Sequence, residues 1–338
     1  MKKGDKTLKK QFDVVGIGNS IVDILVHSTD TFLEQNSLTK GSMTLVDQSK
    51  AEELYLVSGP GLESSGGSAA NTIAGLAQLG IEAGFIGRVK NDDLGKIFTH
   101  DICSTGANYQ TPPIDIGPST ARCLILITPD AQRTMCTYLG ASVFLNPQDI
   151  DLSLVKQAKV LYLEGYLWDH PEAKKAFITS AKECKSSGGK IALSLSDAFC
   201  VERHRESFQE LISNYIDIIF ANEGEIISLY KSKGLDEAKS IINKHCDISV
   251  LTMGENGSII ISGGNCFTIK PYRMGEVIDT TGAGDLYASG FLYGYSLGKS
   301  LDICGQIGSI CAGHIVTQVG TRSQIDLKKL VNNYLDET

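Results

Sequence analysis

The run Asp279-Thr280-Thr281-Gly282-Ala283-Gly284-Asp285 places two glycines and a carboxylate directly after the apolar pair Val277-Ile278 and before an apolar, small-residue-rich stretch, Leu286 to Leu297. The spacing predicts a helix over that stretch, opened by a glycine turn. Gly282 and Gly284 let the backbone turn tightly and bare its amides. Those amides and the helix dipole make a fixed site for an anion, such as a phosphoryl group in transfer. Asp285 then falls in the first helical turn, beside the anion. A carboxylate there repels a phosphate unless it has a chemical task, and taking a proton from an attacking hydroxyl is such a task. The plainer alternative is a glycine turn in which Asp285 only favours the dipole.

A second glycine-led helix start appears at Gly66-Gly67-Ser68-Ala69-Ala70-Asn71, with the helix running to Leu79 and a C-cap signal at Gly80. Two glycines ahead of a helix let a ligand approach the backbone. Asn71 is placed to bond a ligand hydroxyl, or else acts as a local cap. Asn222-Glu223-Gly224-Glu225 closes one strand-like run and opens a helix, where an α/β sheet presents ligands; alone it reads equally as a capped helix start. Thr252-Met253-Gly254 ends the next strand.

The elements that must position these groups alternate. Phe12 to Gly16, Lys159 to Leu163, Lys190 to Leu195, Ile216 to Ala221 and Ile248 to Thr252 read as buried strands. Helical stretches at Pro171 to Ser187, Glu202 to Asn214, Glu223 to Tyr230 and Leu235 to His245 separate them. This rhythm predicts an α/β fold, a doubly wound and mainly parallel sheet. Asp23 to Asp47 and Ala107 to Tyr138 break the rhythm with β-branched runs and a hairpin signal at Thr128-Pro129-Asp130. They are expected to form a small β lid, residues 24–46 and 107–138, on a large domain of residues 1–23, 47–106 and 139–338.

Composition narrows the partners. With 338 residues the chain can bury a large core without staples. Its 31 Lys and Arg against 39 Asp and Glu leave a net charge of −8, which disfavours nucleic acid and anionic membranes. No apolar run reaches the roughly 18 residues of a membrane span. The basic start Met1 to Lys10 leads into Phe12-Asp13-Val14 rather than an apolar run, so a signal peptide is not expected. Nine cysteines without a Cys-x-x-Cys pair read as buried thiols in a reducing cytoplasm. Two further motifs mislead. Gly294-Tyr295-Ser296-Leu297-Gly298 matches a hydrolase nucleophile elbow and overlaps a near Walker loop, but it falls at a helix end, where neither chemistry works. Gly16-Ile17-Gly18 lacks the third glycine of a dinucleotide fingerprint, Ile21 standing there instead.

The two glycine-led helix starts together resemble the signatures of the ribokinase-like (PfkB) family of carbohydrate and nucleoside kinases, and the resemblance spans nearly the whole chain in the right order. It implies a Rossmann-like domain with a β lid, Asp285 as catalytic base, and the amides at Gly282, Ala283 and Gly284 as anion hole. Gly66, Gly67, Ser68 and Asn71 would bind the acceptor. Asn222, Thr252, Gly254, Gly282 and Gly284 would bind ATP, with Glu225 organising Mg2+ through water and a monovalent cation as a further candidate. Arg133, in the lid hairpin, resembles an arginine that closes on the transferring phosphate.

Within the family the chain is similar to adenosine kinases. Gly18-Asn19 with Asp23 resembles their opening, where the aspartate holds the ribose hydroxyls, and Tyr166 and Phe199 match base-facing aromatics. Taken without the family, Asp23 reads as a turn residue and the two aromatics as core. Glu164 departs from the eukaryotic pattern, which is small and neutral there. The resemblance implies transfer of the γ-phosphate of ATP to the 5′-hydroxyl of a purine nucleoside by a cytoplasmic monomer or homodimer. The alternatives are a sugar kinase acting on ribose or a related sugar and, from another class, a nucleotide-binding module without catalysis.

Overall fold

The computed structural model describes residues 10–130 and 132–337. The basic start, expected not to be a leader, lies outside them except for Lys10. Nine strands form one sheet in the order Asn265–Ile269, Ser258–Ser262, Ile248–Thr252, Ile218–Asn222, Lys190–Ser194, Ala158–Glu164, Phe12–Ile17, Ala83–Ile86 and Asn108–Tyr109. From Ile248–Thr252 onward the pairing is parallel, and the first two strands form an antiparallel edge hairpin.

Successive residues of these strands enter two different cores. Val14, Tyr162, Phe220 and Val250 pack with the helices Ser68–Gln78, Ala283–Ser296 and Leu301–Ile315. Val15, Leu161, Ile219 and Leu251 pack with Pro171–Ser186, Ala198–Tyr215 and Glu223–Tyr230 on the other face. A strand covered on both faces has no polar side to show, so its sequence is a nearly unbroken apolar run.

A second sheet of five strands has the order Met43–Leu45, Arg133–Tyr138, Ala121–Ile127, Ile21–His27 and Leu62–Gly66. Its strands do not follow the expected lid boundaries. Ile21–His27 begins three residues earlier than residue 24, which puts Asp23 inside a strand rather than at a turn. Leu62–Gly66 pairs with it, whereas Asn108–Tyr109 pairs with Gly84 and Phe85 of the main sheet. The glycine pair explains why the strand Leu62–Gly66 ends where it does. Gly66 ends the small-sheet strand, and Gly67, at φ +98°, turns the chain into the helix Ser68–Gln78.

Among the described residues no helix is long and apolar enough to cross a membrane. Seven of the nine cysteines are buried, and Cys103 and Cys266 are exposed. Ser296 is the last residue of its helix, which removes the context a nucleophile elbow needs.

The helix behind the anion turn is held by backbone contact. A Cβ on Gly290 would stand 2.6 Å from the Ile307 carbonyl oxygen and 2.8 Å from the Gly308 Cα. Gly290→Val should therefore destabilise the protein by about 2–3 kcal/mol and lower its Tm by several degrees. Gly284→Val, at the exposed start of the same helix, meets nothing within 4 Å and should leave Tm almost unchanged. Equal thermal melts for the two variants would contradict this packing.

Candidate active site

Two clefts meet at the glycine turn. The first, about 810 Å³, lies between the two sheets and is lined by Asn19, Asp23, Asn71, Tyr166, Phe199 and Asp285, among others. The second, about 570 Å³, lies on the other side of the turn and is lined by Gly254, Tyr272, Met274, Ala283 and Val316, among others. Thr252, Thr280, Gly284 and Tyr287 line both.

Gly282 adopts the left-handed conformation, φ +77°, as N-cap of the helix Ala283–Ser296. This is where the turn requires glycine. Gly284 is helical, with nothing within 4 Å of a would-be Cβ, so its value is open space for a ligand. The expected three-residue hole narrows, because the Ala283 amide donates to the Thr280 carbonyl at 3.2 Å. The Leu286 amide closes onto Gly282 O at 2.8 Å, leaving the amides of Gly284 and Asp285 in the unpaired first turn.

Asp285 bridges the two glycine-led helix starts. Its Oδ1 accepts from Ser68 Oγ at 2.6 Å and its Oδ2 from Asn71 Nδ2 at 2.9 Å. Burial raises its pKa, while the bonds from Ser68 and Asn71 and the charge of Arg322 oppose the rise. A carboxylate whose pKa is raised in this way accepts a proton more readily than an exposed one.

Asp23 lies on the cleft wall with its carboxylate against Gly66, where a Cβ would collide with it. Burial pushes its pKa up to about 7, with Arg322 pulling down and Asp285 pushing up. Glu164 is 1% exposed and lies under both loops. It accepts from Asn19 Nδ2 at 2.6 Å, from the Asn19 amide at 3.2 Å and from the Ala69 amide at 2.8 Å. Asn19 Oδ1 in turn accepts from Ser142 Oγ at 2.9 Å, so Asn19 is anchored by protein on both sides. Burial outweighs these donors and raises Glu164 to about 7.

Tyr166 and Phe199 are 38% and 71% exposed along one wall of the first cleft, so neither is a core aromatic. Met43 and Leu45 of the small sheet line the same cleft and are exposed as well. Arg133 is not among the lining residues of either cleft, but its Nη1 lies 3.5 Å from Oγ1 of Thr281, which lines the first. Its Nη1 pairs with the buried Asp279, which also accepts from the amides of Thr281 at 3.0 Å and Gly320 at 3.1 Å. The guanidinium thus ties the small sheet to the glycine turn, because Asp279 is the nearest desolvated charge that needs a partner.

Asn222 and Glu225 form a reciprocal cap. Asn222 Oδ1 accepts from the Glu225 amide at 2.8 Å, and Glu225 Oε2 from the Asn222 amide at 2.9 Å. Burial raises Glu225 to about 7. Among the described residues no group of three or more His, Cys, Asp or Glu could hold a metal ion. Glu225, with both carboxylate oxygens engaged by Asn222, is placed to reach an ion such as phosphate-bound Mg2+ through water.

Sequence reasoning missed Arg322, Ser65 and Asp101, which lie behind Asn71, and the small-sheet wall of Met43 and Leu45. None stands in a recognisable motif. Glu164 was visible only as a departure from a pattern.

Comparison with known proteins fits this geometry. The profile of a family described as pfkB family carbohydrate kinase matches residues 45–328. A 5-dehydro-2-deoxygluconokinase from Shouchella clausii is 27% identical over 320 residues, covering 91% of either chain. A probable sugar kinase from Rhizobium etli CFN 42 is 47% identical in sequence and superposes with a TM-score of 0.89, over 96% of this chain and 99% of its own. An adenosine kinase from Sinorhizobium meliloti is 44% identical, with a TM-score of 0.89 over the same shares.

Raised carboxylates carry a pH signature. A carboxyl with a pKa of about 7 in the fold and 4.5 when unfolded binds more protons in the native state between those values, as Glu164 does. Stability should thus be greatest at the acid end of that window, fall as pH rises through it, and level off above it. Asp23 and Glu225 add slopes of the same sign. Glu164→Gln should flatten the fall in chemical-denaturation free energy between roughly pH 4.5 and 7. An unchanged slope would mean that Glu164 is ionised at no cost.

Proposed function

The chain belongs to the pfkB family of carbohydrate kinases, and from that premise we propose that it transfers the γ-phosphoryl group of ATP to the 5′-hydroxyl of a purine nucleoside. It is a phosphotransferase with an alcohol acceptor, and its family implies the use of ATP. The observation that carries the nucleoside reading is the first cleft. Beyond Asp23 and Asn71 it continues between exposed Tyr166 and Phe199 on one side and exposed Met43 and Leu45 on the other. A free sugar would occupy the polar end and leave that apolar wall wet. A nucleobase would cover it.

In this reading Asp23 grips the ribose hydroxyls and directs the 5′-hydroxyl toward Asp285. Asp285 takes the proton late, since a loose phosphoryl-transfer transition state asks little of its base. The amides of Gly284 and Asp285 stabilise the moving charge, an effect of order 3 kcal/mol per donor. ATP lies along the second cleft between Gly254 and Val316 with its phosphates over the glycine turn. Glu225, through water, would hold the Mg2+ that accompanies ATP, which would supply neutralising charge on the phosphate oxygens. The small sheet covers the acceptor and keeps water from competing for the phosphoryl group.

A sugar acceptor is the second reading, favoured by the likeness to the 5-dehydro-2-deoxygluconokinase and to the probable sugar kinase.

Two measurements test these assignments. Asp285→Asn keeps the backbone hole and should leave ATP affinity nearly intact while kcat falls roughly 10²- to 10⁴-fold; wild-type turnover would remove the base. Steady-state constants on adenosine, guanosine, inosine and ribose address the acceptor. Phe199→Ala should raise KM for adenosine roughly 10- to 100-fold and barely change any activity on ribose. Asp23→Ala should damage both, by about 1.5–3 kcal/mol. A wild-type enzyme that prefers ribose to every nucleoside would hand the function to the sugar reading.

A further inference from the structure

Arg322 lies in the turn between the helices Leu301–Ile315 and Leu327–Glu337, directly behind the acceptor cleft. Its Nη1 donates to Asn71 Oδ1 at 2.5 Å, and its Nη2 to the Ser65 carbonyl at 2.5 Å and Ser65 Oγ at 2.7 Å. Thr321 Oγ1 adds a second donor to Asn71 Oδ1 at 3.1 Å. Ser65 is fixed from the other side, its amide and hydroxyl donating to Asp101 Oδ2 at 2.7 and 2.5 Å.

The two ends of an asparagine amide have nearly the same shape, so packing alone does not choose between them; donors and acceptors do. Here two donors claim the oxygen, which leaves the nitrogen for Asp285 Oδ2 at 2.9 Å. The reversed amide would set its NH2 group against Arg322, which can only donate, and its oxygen against a carboxylate, while the Thr321 hydroxyl could serve either orientation. A guanidinium this enclosed is costly, and its buried Nε has no hydrogen-bond partner among the described residues. The packing of one helix turn could be met more cheaply by an apolar side chain.

We propose that Arg322 is a positioning residue for the phosphoryl transfer: it locks the Asn71 amide with its nitrogen toward Asp285 and sets a positive charge behind the carboxylates of Asp23 and Asp285. The proposal rests on the reading of Asp285 as base. The titratable groups facing Asp285 are Asp23 on the small sheet, and Glu164, Tyr162 and Tyr166 on and after one main-sheet strand, while Asp101 faces Arg322 from its own helix. Of the positive charges, Arg322 is the one that lowers the pKa of Asp285 against burial.

The test is the pH dependence of kcat at saturating acceptor, where the binding role of Asp23 drops out, measured with Tm for Arg322→Met, Arg322→Lys and Asp285→Asn. Arg322→Met should fold, lose turnover and move the acid limb of kcat upward by about one pH unit. Arg322→Lys restores the charge without the planar fork, so the limb should return to the wild-type position while kcat stays reduced. An Arg322→Met enzyme whose limb is unmoved, with activity lost only in step with its folded fraction, would overturn the proposal in favour of a packing role. Should that variant not fold, wild-type kcat in Arg322→Lys would overturn it equally. Full turnover in Asp285→Asn would overturn the base reading and this proposal together. An inactive Asp285→Asn beside an unmoved limb in Arg322→Met would overturn the role of Arg322 alone.

Discussion

Asp285 cannot be placed where it is without everything around it. A carboxylate largely withdrawn from water at the foot of the first cleft needs donors, and it finds them in Ser68 and Asn71, at the start of a different helix more than two hundred residues away in the chain. Meeting that need forces the two glycine-led helix starts face to face. The helices then pack closely because their contact positions are small. A Cβ on Gly75 would stand 2.5 Å from Ser289 Oγ, and Ser289 itself bonds the Thr72 carbonyl at 2.9 Å. Desolvating one charge thus dictates both the loop geometry and the residue sizes along the helices behind it.

The same principle accounts for the other buried charges. Glu164 ties the Gly18-Asn19 turn to the first amides of the helix Ser68–Gln78, and a Cβ on Gly18 would run into its carboxylate. Asp279 anchors the glycine turn to the Gly320 amide and, through Arg133, to the small sheet. Each carboxyl group is held in the interior because several loops supply it with donors at once. Loops that share a buried carboxyl group cannot move independently, so the floor of the cleft is preorganised while its outer wall of exposed aromatics and aliphatics remains open.

The division between the two walls suits a phosphotransferase. The polar floor treats every acceptor alike, since a hydroxyl and a phosphate are the same groups on a sugar or a nucleoside. In the proposed reading, discrimination would fall to Tyr166, Phe199, Met43 and Leu45, which line the first cleft beyond its polar end. Relatives that act on quite different acceptors are compatible with this arrangement, because changing the wall leaves the chemistry in place.

Local pattern was enough for the parts whose cause is local. The buried strands declare themselves because both their faces are covered, so Val160 to Leu163 and Ile218 to Ala221 are apolar without alternation. The glycine turn before Asp285 and the pair at Gly66-Gly67 are equally legible, since a left-handed residue or a close approach leaves a glycine that neighbouring residue types explain. What depends on which segments meet was decided by the tertiary structure alone. Nothing near Arg322 in sequence announces that it faces Asn71, and Arg133 carries no sign that it would pair with Asp279. Leu62–Gly66, placed by its sequence position in the large domain, pairs instead with Ile21–His27 of the small sheet. Hydrogen bonds and ion pairs between distant segments have no period and no spacing in the chain. They exist only once the fold has removed the water that would otherwise satisfy the same groups.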